Sequence, residues 1–168
     1  MTVELFLKNY KSNIGKKTFE DFMTKHITRQ YVPYLEKVTY CNAILKASCY
    51  TKVGDKEVVK FNSPGQFLGF ITRLIALYTD IEIDFNDGKF IEQYDALAEA
   101  GAIESIVQYI PEREYSEFET LLNFAVMDLR ENEYSTTALL YNIKQSIDLS
   151  GEQLIKAIEE ISKTEQSN

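Results

Sequence analysis

The chain has 168 residues, 45% hydrophobic and 12% aromatic, with 7 Gly, 3 Pro and 2 Cys. That is enough apolar material for one domain that buries roughly two thirds of the surface its unfolded chain exposes, which excludes a disordered polymer. The net charge of -8 is unevenly spread: residues 1–60 hold eleven Lys/Arg against six Asp/Glu, and residues 61–168 hold seven against twenty, an asymmetry that fits a basic nucleic-acid arm, an acidic partner-binding face, or two complementary faces.

Taken in order, Val3, Phe6, Leu7 and Tyr10 mark a short amphipathic helix, and residues 11–17, with Asn13 and Gly15, a loop. Thr18 and Asp21 resemble a capping box ahead of Phe19, Phe22, Met23, His26 and Ile27 at helical spacing. Pro33 restarts the chain, and Leu35, Val38, Cys41 (or Asn42), Leu45 and Cys49 predict a third helix with Leu35 on its apolar side. Over 50–61 the period changes. Gly54 and Asp55 separate two stretches rich in Thr, Val, Tyr and Phe, a small β-hairpin in which Val58 and Val59 face opposite sides.

Residues 64–79 follow as the buried central helix, opened by Ser63 as N-cap and Pro64 in the first turn. Phe67, Phe70, Ile71, Leu74, Ile75 and Tyr78 recur at three- and four-residue steps, Leu68, Ala76 and Leu77 widen the stripe, and only Gln66, Thr72 and Arg73 read as polar. Its longest apolar run is broken by Arg73 and falls short of the roughly 20 residues that span a bilayer.

Ile81, Ile83 and Phe85 alternate with Glu82, Asp84 and Asn86 in an extended connector, and Asn86, Asp87 and Gly88 form a turn. Phe90, Ile91, Tyr94 and Leu97 predict a helix closed by Gly101; Ile103, Ile106, Val107 and Ile110 a short one; and residues 111–131 a long one with Tyr115, Phe118, Leu121, Leu122, Ala125, Val126 and Leu129 on one side. Ser135 or Thr136 caps a helix holding Leu139, Leu140, Ile143 and Ile147, and Ser150 with Gln153 opens a last one with Leu154, Ile155, Ile158 and Ile161. The expected whole is a mostly α, compact multi-helix single domain over 1–163, built around the helix at 64–79 and carrying a hairpin near 50–61. A frayed polar tail follows over 164–168.

The residues that could carry chemistry do not form a known constellation. Asp80, Glu82, Asp84 and Asp87 gather near Gly88, but an EF-hand loop would need ligands where Ile83 and Tyr94 stand. His26 is the single histidine, so the usual zinc sites lack ligands, and it reads as a partly buried histidine bonded to a neighbour. Cys41 and Cys49 on one helix lie about 12 Å apart along its axis, too far for a disulfide, and read as small core residues. GxSxG, GxxxxGK[ST] and GxGxxG patterns are absent. No catalytic residue, cofactor or metal is expected. Lys8, Lys11, Lys16, Lys17, Lys25 and Arg29 interleave with aromatics, yet Phe19 and Phe22 keep core spacing and the chain is acidic. A solvated basic face is therefore favoured over nucleic-acid binding. Glu112, Glu114, Glu117 and Glu119 crowd the first turns of the long helix, where its dipole favours negative charge.

The segments KHITRQYVPYLEKV, NSPGQFLGFITRLIALYTDIEIDF and IPEREYSEFETLLNFAVMDLRENEY resemble a family of short acidic helical proteins of tailed bacteriophages and prophages of low-GC Gram-positive bacteria. The likeness covers roughly residues 3–140, in packing segments without a chemical signature. It implies a non-enzymatic phage morphogenesis or structural accessory protein, such as a tail-assembly chaperone, a connector or another virion component. The alternative is a small phage inhibitor of a host protein, in defence or transcription, working through acidic helices. The expected partners are proteins, a second copy or a phage structural protein, and homo-oligomers follow from the two charge signs. Candidate partner-binding residues are Lys11, Lys16, Lys17, Asp80, Glu82, Asp84, Glu112, Glu114 and Glu117. The start MTVELFLKNYKS has no basic leader or small-residue cleavage site, so the expected location is the host cytoplasm, with incorporation into the virion for a structural component.

Overall fold

The computed structural model describes residues 1–53 and 56–134. In chain order it holds α1 (Val3–Asn13), α2 (Phe19–His26), α3 (Tyr34–Cys49), β1 (Tyr50–Val53), β2 (Lys56–Val59), α4 (Ser63–Tyr78), α5 (Lys89–Glu99), α6 (Ala102–Tyr109) and α7 (Glu112–Tyr134). The architecture is mostly helical with one antiparallel hairpin, as the periodicities predict. Residues 1–126 form one compact unit, and a second begins at Met127. The hairpin turn at Gly54 and Asp55, the two helices expected beyond residue 135 and the tail over 164–168 lie outside the described residues.

The central helix is α4. It buries Phe70, Ile71, Leu74, Ile75, Leu77 and Tyr78, with Leu74, Ile75 and Tyr78 wholly closed to solvent. Three details differ from expectation. The cap is Asn62, whose side-chain oxygen accepts from the Gly65 N–H at 3.0 Å, and Ser63 is already helical. Phe67 is 57% exposed and packs edge-on against Tyr94. Thr72 is buried, its hydroxyl satisfied by donating to the Leu68 carbonyl at 2.7 Å. Loss of the cap in Asn62→Ala frees a first-turn N–H, and the expected result is a loss of about 1 kcal/mol, seen as a thermal midpoint lower by about 3 °C.

The partner of α4 is α3, where Cys41, Leu45 and Cys49 are buried as predicted and the N-terminal end of the predicted face is not. Leu35 is 75% exposed, whereas Lys37, Cys41, Ile44 and Ser48 are buried. Spacings of four, three and four put these on one stripe that begins with a lysine. Gly69 sits where the two helices come closest. A Cβ there would lie 3.3 Å from Ile44 Cγ2 and 3.4 Å from an Arg73 guanidinium nitrogen.

Two short segments tie the ends of helices together. Ile27 bridges Thr79, with Thr28 N–H donating to Tyr78 and Asp80 N–H to His26. Thr2 bridges Glu82, which makes the connector after α4 extended, as its alternation predicts; Ile81 points inward at 2% exposure. α1 and α2 share an aromatic cluster of Phe6, Tyr10, Phe19 and Phe22, with Phe6 and Phe22 both against the His26 ring. The capping box at Thr18 is not formed: its hydroxyl turns to Asn13 at 3.4 Å instead of capping α2. Gly101 closes α5 and opens α6 at φ +66, a left-handed position that favours glycine. Its carbonyl accepts from the Tyr10 hydroxyl at 3.0 Å.

The hairpin pairs Tyr50 with Val59 and Thr51 with Val58. Val58 is the outward valine at 38% exposure. Lys60 and Asn62 N–H groups then donate to Cys49 and Ser48 carbonyls, which folds the chain back onto α3 before α4 starts. Among the described residues no helix is long and apolar enough to cross a membrane.

Candidate functional site: a buried ion cluster and two charged faces

Titratable groups converge at one place, where α3, α4 and the start of α7 meet. Lys37 is fully buried, and its Nζ lies 2.9 Å from Glu114 Oε2 and 2.9 Å from Glu117 Oε2. The same Glu114 oxygen accepts from the Val32 N–H at 2.9 Å and from the Tyr78 hydroxyl at 2.8 Å. The Tyr31 ring covers the ammonium at 5.6 Å. Burial raises the Glu114 carboxyl, and the Lys37 ammonium with the Val32 and Tyr78 donors outweighs it, so the group is held below the ordinary carboxylate range. Burial first, and then the hydrogen bond to Glu114, push the Tyr78 hydroxyl far up.

This arrangement fixes what the cluster can do. Glu114 Oε2 already takes three donors, and with Lys37 closed to solvent and the Glu114 side chain 5% exposed, a substrate atom has no route to either. The cluster clamps α3, α4 and α7 together. Of the acidic residues predicted to meet a partner, Glu114 is therefore corrected: it is 4% exposed and engaged internally. The i, i+3 step to Glu117 brings both carboxylates to one ammonium, and Glu117 stands half-exposed at the cluster's edge.

The other predicted residues fall in separate places. Lys11 ends α1, and Lys16 and Lys17 lie in the loop after it, all three exposed. Like the exposed Lys8 and Lys25, none of them is paired with a carboxylate among the described residues. Asp80 is half-spent, since its Oδ1 meets His26 Nδ1 at 3.0 Å. Glu82 projects to solvent beside the Met1 amino group at 3.2 Å. Asp84 organises the turn before α5: it accepts from the Asn86 N–H at 3.0 Å and pairs with Lys89 at 3.2 Å, and those contacts, led by the Asn86 backbone donor, lower its pKa. Glu112 is exposed and has no ion-pair partner among the described residues.

Two features went unread in the sequence. The first is Lys37 itself, although its place on the 37, 41, 44, 48 stripe was the available signal. The second is the acidic row Glu92, Asp95 and Glu99 on α5. All three are exposed and free of ion pairs among the described residues, and steps of three and four put them on one side. Among the described residues no three His, Cys, Asp or Glu side chains converge as a metal site would need. Cys41 and Cys49 are free and buried, and burial pushes the Cys41 thiol up to about 11, the form that resists oxidation. Comparison with family models, with curated proteins and with solved structures gives no match.

Proposed function

We propose that the protein works without catalysis, as a tailed-phage assembly component whose copies meet head to tail through opposite charges. The observation that carries this reading is exposed charge of both signs left without ion pairs among the described residues. Lys11, Lys16 and Lys17 gather where α1 runs into its loop, and Glu92, Asp95 and Glu99 line α5, with none of the six in an ion pair among the described residues. Charges left free at the surface steer association and select partners more than they stabilise a fold. Two different patches meeting in this way make a heterologous contact, which generates rings or filaments. The phage setting rests on the likeness of the packing segments quoted above.

The test is light scattering across a salt series. Association is expected at low ionic strength and declines toward physiological salt, where the Debye length is about 8 Å. Lys11→Glu/Lys16→Glu/Lys17→Glu is expected to stay monomeric throughout, with an unchanged thermal midpoint. Wild-type protein that is monomeric at every salt concentration and retains no phage structural protein contradicts the reading. Retention of a host defence or transcription protein in its place favours the inhibitor.

A further inference from the structure

A groove of about 240 Å³ opens between α3, α4 and α5, walled by Ile44, Leu68, Phe85, Phe90 and Ile91, with Arg73 set in it. Arg73, on α4, is held differently from Arg29. Arg29 is satisfied by a two-pronged contact with Glu36, both distances 2.7 Å. Arg73 has no carboxylate partner among the described residues. Its guanidinium stacks over the Phe85 ring at 4.6 Å and lies against the bare backbone of Gly69. Burial lowers its pKa, the mark of a cation that has lost water without gaining an anion. Around it the rim is apolar and open, with Ile91 46% and Phe85 37% exposed, while Phe67 stands 57% exposed against Tyr94 one turn further along α5.

From this juxtaposition we propose that the groove is a second binding site, one that takes an acidic, apolar peptide segment of a protein partner, with Arg73 receiving the carboxylate. The guanidinium fork is planar and matches a carboxylate two-prong, and in a partly desolvated setting that contact is stronger than in water. The volume is below the roughly 300–1,000 Å³ of pockets for drug-sized ligands. It suits one large apolar side chain with an acidic residue beside it, the anchor-plus-charge pattern of peptide grooves. None of the lysines or α5 acids of the head-to-tail contact lines the groove. The two readings therefore fail separately.

The probe is the blocked peptide acetyl-Phe-Leu-Asp-Leu-amide, titrated into isotope-labelled full-length protein alongside its asparagine counterpart and octanoate. The expected result is shifts confined to Leu68, Arg73, Phe85, Phe90 and Ile91, with the aspartate peptide bound tighter than the asparagine peptide by about tenfold to a hundredfold, the worth of a charge-assisted contact. Arg73→Gln abolishes that preference. Ile91→Glu, at the exposed rim, sets the chain's own carboxylate beside Arg73 and blocks the peptide; it serves as the independent variant should Arg73→Gln fold poorly. Lys11→Glu/Lys16→Glu/Lys17→Glu leaves peptide binding unchanged. Equal binding of the two peptides, shifts away from the groove, octanoate binding there more tightly than the aspartate peptide, or no binding by either peptide overturns the proposal.

Discussion

Leu74→Asp is expected to leave no cooperative unfolding transition, and the protein should be recovered as aggregate or as a chain without fixed near-ultraviolet circular dichroism. Leu74 is wholly buried in the middle of α4. The substitution removes a side chain whose burial is worth about 2 kcal/mol and adds an unpaired carboxylate whose desolvation costs several more. Domains of this kind are stable by about 5–15 kcal/mol, so the sum approaches or exceeds what is available. Leu35→Asp supplies the contrast. Leu35 is 75% exposed in the first turn of α3, where the helix dipole favours an acid, and the midpoint in urea should move by the equivalent of about 0.5 kcal/mol or less. Equal damage from the two would mean that α3 presents the other face to the core.

The second large effect lies in the ion cluster. Glu114→Gln keeps an oxygen for Val32 and Tyr78 but strips the negative charge facing the fully buried Lys37, which then relies on the half-exposed Glu117. The expected loss is about 3 kcal/mol, the lower end for a broken buried pair because one carboxylate stays. Lys37→Met leaves Glu114 ionised with two neutral donors and should cost a similar amount. The two together should cost less than their sum by about 2 kcal/mol, since the double variant buries neither charge alone. Additive losses would show that the cluster is not a unit.

The same cluster sets the response to acid. Glu114 is held below its ordinary pKa in the folded state, so the unfolded chain takes up its proton first as pH falls. The stabilisation is complete above the ordinary glutamate value of about 4.3 and drains away as pH drops through the lower folded value. Glu36, lowered by its hydrogen bonds from Arg29, acts in the same direction, but both partners are about a third exposed and solvent screens most of the effect. Urea midpoints measured from pH 6 to pH 3 should fall in the wild type, and fall less in Lys37→Met/Glu114→Gln.

Where the sequence was legible, it was through period and punctuation. The 3.6-residue recurrence from Phe70 to Tyr78, the change to alternation at Tyr50 and again at Ile81, and the stop at Gly101 each reflect a local constraint that tertiary packing leaves in place. Faces were harder to read than elements. On α3 the apolar residues Leu35 and Val38 compete with Cys41 and Ile44 for the inward side, and the winner is the stripe led by Lys37, because a carboxylate pair on α7 awaits its ammonium. Such a partner is invisible from local sequence: Lys37 and Glu114 are far apart along the chain, and each alone reads as surface. Phe67 shows the reverse error, an aromatic at core spacing that stays at the rim because α5 offers it only the edge of Tyr94. At the charged faces the lysines were legible by composition. The α5 row was hidden by its modest density, and Glu114 was mistaken for surface because its neighbours Glu112 and Glu117 reach solvent.

The head-to-tail account is tested most directly by reciprocal charge swaps in sedimentation velocity at low salt. Lys11→Glu/Lys16→Glu/Lys17→Glu and Glu92→Lys/Asp95→Lys/Glu99→Lys should each sediment as monomers under conditions where the wild type associates, because each variant presents two faces of one sign. The first variant mixed with wild type should join only at chain ends and shorten the assemblies. The decisive sample carries both sets of substitutions in one chain, which restores opposite signs with the faces exchanged: the account predicts that association returns with the same salt dependence, and a monomer there, or association of either single-face variant at the wild-type level, would contradict it.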